Sequence, residues 1–136
     1  MNVINFMKNK HNNSDPFDFR KNSTLEKRKD ESTRVRAKYP DRIPMICESA
    51  KNTAEPIILD RNKYLVPGDV TVGQFLIILR KRIKITPDKA IFLFTEQATL
   101  PPTSELISNI YKTHKNEDGF LYILVATETT FGSEFW

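Results

Sequence analysis

The sequence predicts an α+β fold, in which helices pack against a four-stranded mixed sheet and two further helices precede it. The first observation is the order of the elements. Short apolar runs and stretches with apolar residues at helical spacing follow one another as strand, strand, helix, strand, helix, strand. The second is the last run, residues 120–126 (FLYILVA), which is apolar almost throughout and is typical of a central strand covered on both faces. The third is the length of 136 residues, which suits one domain with a sizeable core.

The N-terminal part begins with a segment that does not predict regular structure. Residues 1–14 are polar and rich in Asn, without a sustained hydrophobic period, so we expect a disordered extension. Residues 15–21 (DPFDFRK) predict a short helical turn opened by Pro16. The ordered domain is therefore predicted to span residues 15–127, and residues 128–136 are predicted to form a flexible tail.

A second, longer helix is predicted before the body of the domain. The spacing of Ser23 and Glu26 is that of a capping box, which satisfies free amide groups at a helix start. A charged helix should follow from residue 25 to about residue 38 and end before Pro40. Its apolar residues are few, so we expect it to lie on the surface of the body.

The body of the domain begins at residue 42. Its predicted strands are residues 42–48, 63–67, 89–94 and 120–126, and its predicted helices are residues 71–83 and 104–115. The second strand is short and closed by Pro67, which lacks an amide hydrogen, so we expect it at an edge of the sheet. The longer helix can be capped by Thr71 or Asp69.

Composition and charge exclude several classes of protein. Apolar residues make up 39% of the chain and charged residues 28%, which is ordinary for a soluble globular protein, and no apolar run is long enough to span a membrane. The formal charge of +4 lies in the N-terminal part: residues 1–50 contain 11 Lys/Arg and 7 Asp/Glu, and residues 51–136 contain 10 of each. Because this excess is modest and no row of aromatic residues accompanies it, we do not expect nucleic-acid binding.

The residue types do not favour an enzyme. His11 lies in the extension and His114 near the end of an exposed helix, and no nucleophile is placed near either. The single Cys47 lies inside an apolar strand, where a structural thiol in a reducing compartment is expected. The four glycines form no phosphate-binding loop, and no His/Cys cluster has metal-ligand spacing. We therefore expect no catalytic residue, no metal site and no cofactor.

Seven stretches of the sequence resemble one known family. They are RIPMICE, KYLVPGDVTVGQF, RKRI, KAIFLF, TLPPT, DGFLY and the terminal TFG, and they occur in order over about residues 19–132. Through these motifs the chain resembles the ubiquitin-like modifiers of autophagy of the light-chain-3 and GABARAP type. The resemblance implies a ubiquitin-like β-grasp, which agrees with the element order. The departures are the N-terminal extension, an extra residue near Thr53 and another near Ala98, and the last four residues.

The resemblance implies a chemical role for Gly132. In this family a cysteine protease removes the residues after the glycine, here residues 133–136, and activating and conjugating enzymes then carry the glycine carboxylate as a thioester. The carboxylate is finally joined by an amide bond to the amine of phosphatidylethanolamine. Glycine suits this role because a residue without Cβ can enter a narrow active-site channel, and Phe131 gives the processing enzymes a contact. Residues 127–132 reach about 20 Å when extended, far enough to enter another enzyme's active site.

The origin of the last four residues leaves this role unchanged. The letters GSEF could also be encoded by two adjoining cloning sites, in which case the terminal SEFW would not be natural. Gly132 keeps its role under either origin.

The resemblance also implies two peptide-binding pockets beside the predicted edge strand. The first takes the aromatic residue of a partner's aromatic-x-x-aliphatic motif, and the second takes the aliphatic one. Arg42, Lys63 and Arg82 would attract acidic residues that flank such motifs. The first pocket is lined by Glu31, Val35, Pro44, Ile46, Lys63, Leu65 and Phe120. The second is lined by Tyr64, Val66, Pro67, Val70, Phe75 and Ile78. The same apolar residues could instead be core residues only, and Phe75 and Ile78 are expected to serve both purposes.

The leading hypothesis is a conjugated modifier that drives autophagosome formation and recruits cargo receptors by peptide binding. Its expected partners are the processing protease, the activating and conjugating enzymes, the receptors and, through the lipid, a membrane. It would be cytoplasmic before conjugation and would then lie on autophagosome membranes and cytoplasmic vesicles, reaching the vacuole or lysosome. The alternative is a non-conjugated adaptor, in which the same pockets bind peptides and the basic N-terminal helices bind tubulin or an anionic surface. The glycine after the last strand favours the first hypothesis.

Overall fold

The computed structural model describes residues 15–51, 57–86 and 88–127. These contain the helices α1 (Asp18–Lys21), α2 (Leu25–Lys38), α3 (Val72–Arg80) and α4 (Ile107–His114). They also contain the strands β1 (Arg42–Ser49), β2 (Lys63–Pro67), β3 (Ile91–Thr95) and β4 (Leu121–Thr127). The predicted α+β fold with two N-terminal helices is confirmed. The expectations for residues 1–14 and 128–136, which include Phe131 and Gly132, lie outside the described residues.

The four described strands form one mixed sheet in the order β2-β1-β4-β3. The neighbours β1 and β2 are antiparallel, β1 and β4 are parallel, and β3 and β4 are antiparallel. β2 is an edge strand and Pro67 lies at its end opposite Arg42, as the missing amide hydrogen of proline predicts. All seven residues of β4 are buried, so the prediction of a central strand is also confirmed.

Each face of the sheet carries its own apolar layer, because successive strand residues point to opposite faces. On one face Met45 and Cys47 of β1 pack with Phe75 and Leu79 of α3 and with residues of α4. On the other face Ile46 packs with the buried aromatic residues of the second layer, which are Phe17, Phe94, Phe120 and Tyr122. The Cys47 thiol is fully buried, and burial raises its pKa, which makes it a poor nucleophile. Within the described residues no helix is both long and apolar enough to cross a membrane.

The helix boundaries differ from the predicted ones where the chain pairs with another segment. α3 ends at Arg80, three residues before the predicted end, because Ile83 forms an isolated bridge with Leu59 instead of continuing the helix. α4 begins at Ile107, three residues after the predicted start, because Leu106 forms a bridge with Thr71. Thr71 also caps α3 in a complete capping box with Gln74, as one of the two predicted caps.

The predicted capping box of Ser23 and Glu26 is wrong. Thr24 caps α2, and its hydroxyl oxygen accepts a hydrogen bond from the Lys27 N–H at 3.2 Å. The Ser23 hydroxyl instead donates to the carbonyl of Phe19 at 3.2 Å. Because Ser23 satisfies a carbonyl at the end of α1, the start of α2 is capped by the next residue.

Two turn residues of the described chain have left-handed backbone. Ala98 has a φ of 64° in the turn after β3, at the position where the sequence carries an extra residue relative to the family pattern. A non-glycine residue in this region costs about 1 kcal/mol. Gly119 has a φ of 90°, and a Cβ there would lie 2.3 Å from the Ser32 hydroxyl oxygen, so only glycine fits. This turn brings α2 close to the start of β4.

Candidate functional site

The residues predicted to line the first pocket lie together on the face of the sheet that carries α2. In the register of β1 and β2, Leu65 lies opposite Pro44 and Lys63 lies opposite Ile46, so these four side chains share one face. Ile46 belongs to the same apolar cluster as Phe120.

The remaining two lining residues come from α2. Glu31 and Val35 are one helical turn apart, and residues at this spacing lie on the same face of a helix. The Glu31 carboxylate accepts a hydrogen bond from the Lys63 ammonium at 2.7 Å, which joins α2 to β2.

Burial divides this first set into a floor and a rim. Pro44, Ile46 and Phe120 are buried and form the floor. Leu65 is half-buried, whereas Lys63 is exposed at the outer end of the set. The arrangement offers an apolar floor beside an exposed cation and a carboxylate, which suits an aromatic side chain flanked by polar groups.

The residues predicted for the second pocket are divided between core and surface. Tyr64, Val66 and Phe75 are buried, and the Tyr64 and Phe75 rings meet edge to face at a centroid distance of 5.7 Å. Among the described residues, the Tyr64 hydroxyl is a buried group without a hydrogen-bond partner, and burial raises the pKa of Tyr64 to about 12. Pro67 and Ile78 are exposed.

A shallow depression of about 420 Å³ lies beside these surface residues. It is lined by Asp69, Val70, Gln74, Ile77 and Ile78. Phe75 is fully buried in the core, whereas Ile78 is 41% exposed and lines this depression, and the expectation that each residue serves both purposes stays a prediction. Ile77 was not predicted for this pocket, although its side chain is 60% exposed.

Two of the three predicted acid-attracting cations already face carboxylates. Lys63 pairs with Glu31, and Arg82 lies 3.7 Å from Asp60. Arg42 is exposed at the start of β1. Exposed pairs contribute little to stability, so a partner's acidic residues can replace them at small cost.

One aromatic residue that the sequence did not single out, Phe19, also contacts residues predicted to line the first pocket. The Phe19 ring of α1 meets the Phe120 ring edge to face, at a centroid distance of 5.5 Å. The Lys63 ammonium lies 5.3 Å from the centroid of the same ring. Because these partners lie far from Phe19 in the sequence, no local pattern signals the contact.

Contacts from the body hold α1 in this position. The Glu48 carboxylate accepts hydrogen bonds from the N–H groups of Asp18 at 2.8 Å and Phe19 at 3.0 Å. Arg20 pairs with Asp15 at 2.7 Å and also contacts Glu96. Negative charge at a helix N-terminus is favourable, so Glu48 stabilises this short helix although it belongs to β1.

A buried ionic cluster fixes α2 against the sheet. The Asp118 side chain is fully buried and accepts hydrogen bonds from Arg28 Nε at 2.8 Å and the Tyr122 hydroxyl at 2.5 Å. The Ser32 hydroxyl donates to the Asp118 carbonyl at 2.5 Å. Because Ser32 is the buried residue of α2, these polar contacts rather than apolar packing decide where Glu31 lies.

Comparisons with known proteins give the family. The family model described as "Autophagy protein Atg8 ubiquitin like" matches residues 27–132. Autophagy-related protein 8 of Schizosaccharomyces pombe is 55% identical over 117 residues, which cover 86% of this chain and 95% of that protein. Autophagy-related protein 8 of Mycosarcoma maydis is 56% identical over 114 residues, which cover 84% and 95%. The crystal structure of Trypanosoma brucei ATG8 matches with a TM-score of 0.77 at 40% identity, and covers 84% of this chain and 97% of that one. The chain therefore belongs to the Atg8 family of ubiquitin-like autophagy proteins.

Proposed function

We propose that this autophagy protein is a modifier that is cleaved after Gly132 and joined through that glycine to phosphatidylethanolamine. A cysteine protease and the activating and conjugating enzymes act on it, and the chain itself contributes no catalytic residue. The conjugate lies on autophagosome membranes and cytoplasmic vesicles and recruits cargo receptors that carry an aromatic-x-x-aliphatic motif. The observation that carries the proposal is the extent of the family match, whose last matched residue is Gly132.

The position of the glycine relative to the fold supports this chemistry. β4 ends at Thr127, and Gly132 follows five residues later. Because β4 is buried along its whole length between β1 and β3, its last residue, Thr127, is held firmly in the sheet. The two acyl chains of the conjugated lipid would contribute about 0.8 kcal/mol of membrane-binding free energy per buried CH₂, which is enough to anchor the folded body to a membrane.

The geometry of β2 supports the peptide-binding part of the proposal. Its outer edge can accept an added peptide strand through backbone hydrogen bonds. Residues i and i+3 of such a strand point to opposite faces, because side chains alternate. The aromatic residue would then reach the face of Lys63 and Leu65, and the aliphatic residue the face of Tyr64 and Val66. The i, i+3 spacing of the motif therefore matches two pockets on opposite sides of one edge strand.

The test is Gly132→Ala in cells under starvation, with Ser133→Ala as the matched control. We expect the Gly132→Ala protein to keep residues 133–136 and to stay off vesicle membranes, because the added Cβ does not fit where the processing enzymes bind glycine. The Ser133→Ala protein should be cut and lipidated, and a protein that ends at Gly132 should be lipidated without the protease. Intact mass reports both the cut and the lipid. If Gly132→Ala is cut and lipidated at the normal rate, the modifier proposal is wrong and the adaptor becomes the better explanation.

A further inference from the structure

We propose that Phe19 occupies the first pocket as an internal substitute for the partner's aromatic side chain, and that its displacement determines which aromatic residues the pocket accepts. This inference rests on the proposed peptide-binding function, which it deepens by naming a specificity residue of that site. It assigns to α1 a direct part in peptide selection.

The Phe19 ring makes the contacts that an incoming aromatic ring would need. It packs edge to face on Phe120, which is on the floor of the pocket, at 5.5 Å. The Lys63 ammonium, which is on the rim, lies 5.3 Å from its centroid. Aromatic edge-to-face pairs and cation–π contacts are the interactions that such a pocket offers to a ligand. A peptide ring and the Phe19 ring would therefore compete for the same two partners.

The way α1 is held permits this displacement. Phe17, just before the helix, is fully buried and lies 4.9 Å from the Tyr122 ring, so it anchors the segment. Phe19 is only half-buried, and α1 is a four-residue helix with no buried residue. Its N-terminus lacks a side-chain cap of its own and is held by Glu48 of the body. The Phe19 ring can thus leave while Phe17 and Arg20 keep the segment attached.

Partial filling of the pocket makes its selectivity depend on ring size. A peptide phenyl ring and a peptide indole must both displace the Phe19 ring, and the larger indole needs more of the space that this ring fills. Removal of the Phe19 ring should therefore favour tryptophan-bearing peptides more than phenylalanine-bearing ones. A role of Phe19 in stability alone would not change this preference.

The experiment compares the full chain with its Phe19→Ala variant, using two acidic-flanked peptides that differ only in Trp or Phe at the aromatic position. Calorimetry should show that the Phe19→Ala variant binds the Trp peptide about tenfold more tightly than the unaltered chain does. Its gain in affinity for the Phe peptide should be smaller. Phe92→Ala is the matched control, because Phe92 is a half-buried ring packed against the same apolar cluster but lies on β3. Its affinities should stay within about twofold of those of the unaltered chain.

A second variant keeps the ring and weakens the hold on α1. Glu48→Gln removes the charge that binds the N–H groups of Asp18 and Phe19, and it should also tighten Trp-peptide binding. Unchanged or weaker Trp-peptide binding in both variants would overturn the inference while leaving peptide binding itself intact. If neither the unaltered chain nor Phe19→Ala binds either peptide, the proposed peptide-binding function is wrong and the inference is wrong with it.

Discussion

At the scale of single residues, a buried carboxylate decides the position of α2. Asp118 accepts hydrogen bonds from Arg28, from Tyr122 and, at 2.9 Å, from the Phe120 N–H. A buried charge is costly unless it is paired and fully hydrogen-bonded, and Asp118 meets both conditions. Its neighbour Gly119 provides the left-handed turn that brings the cluster against the helix.

Asp118→Asn should therefore destabilise the protein strongly. The substitution keeps the shape of the side chain but leaves the Arg28 guanidinium, only 12% exposed, without its partner charge. We expect a loss of about 3 kcal/mol in the free energy of unfolding, at the low end for a broken buried pair because Arg28 retains some contact with solvent. Urea denaturation measures this change in the free energy of unfolding.

The matched control is Asp30→Asn, which breaks the exposed pair of Asp30 with Arg34 on the same helix. This variant should lose about 0.5 kcal/mol or less. Equal stability losses in the two variants would show that the buried cluster is not what holds α2.

At the scale of elements, β2 combines an open edge with side chains that serve two faces. Its length of five residues and its terminal Pro67 limit uncontrolled strand pairing, which an exposed edge invites. The neighbouring helices differ in how they are held. α3 and α4 are fixed by the apolar core of one face, whereas α1 and α2 depend on polar contacts and a few aromatic rings on the other. The proposed peptide site therefore lies between a layer held by apolar packing and a layer held mainly by polar contacts and aromatic rings.

Lys63→Ala combined with Leu65→Ala should weaken binding of aromatic-x-x-aliphatic peptides at least about tenfold, because both side chains belong to the proposed first pocket. Lys63 is exposed and Leu65 only half-buried, so the fold should survive, as circular dichroism can check. Leu100→Ala with Lys112→Ala is the control, since it removes the same residue types from exposed positions away from β2. A folded Lys63/Leu65 double variant with unchanged peptide affinity would remove β2 from the site.

At the scale of the whole molecule, the chain adds an N-terminal layer to a sheet that is already covered on its other face. The buried aromatic residues of this layer begin at Phe17. The preceding residues 1–14 are mostly polar. The anchor of the layer therefore lies in a short stretch just after the extension.

Two truncations test where the anchor lies. A protein that starts at Asp15 should lose about 0.5 kcal/mol or less, because the removed segment has few apolar residues. A protein that starts at Asn22 also loses Phe17, whose side chain is fully buried, and should be less stable by at least about 3 kcal/mol. Thermal unfolding separates the two. A large drop in melting temperature for the protein that starts at Asp15 would show that residues 1–14 pack on the body.

The sequence by itself determined the order of the elements, the edge position of β2 and the central position of β4. These follow from local causes: hydrophobic period, a proline without an amide hydrogen, and a run of seven apolar residues. Motifs also selected the first-pocket residues, which the fold brings together on one face. The peptide role of those residues and the role of Gly132 stay predictions.

Only the tertiary structure decided which residue caps α2, where α3 ends and α4 begins, and which groups Phe19 and Asp118 contact. Thr24, not Ser23, caps α2, because the Ser23 hydroxyl donates a hydrogen bond to a carbonyl of α1. Asp118 and Arg28 are 90 positions apart, so no periodicity links them. Contacts of this kind depend on which surfaces the folded sheet brings together, and a local pattern of residue types carries no information about that.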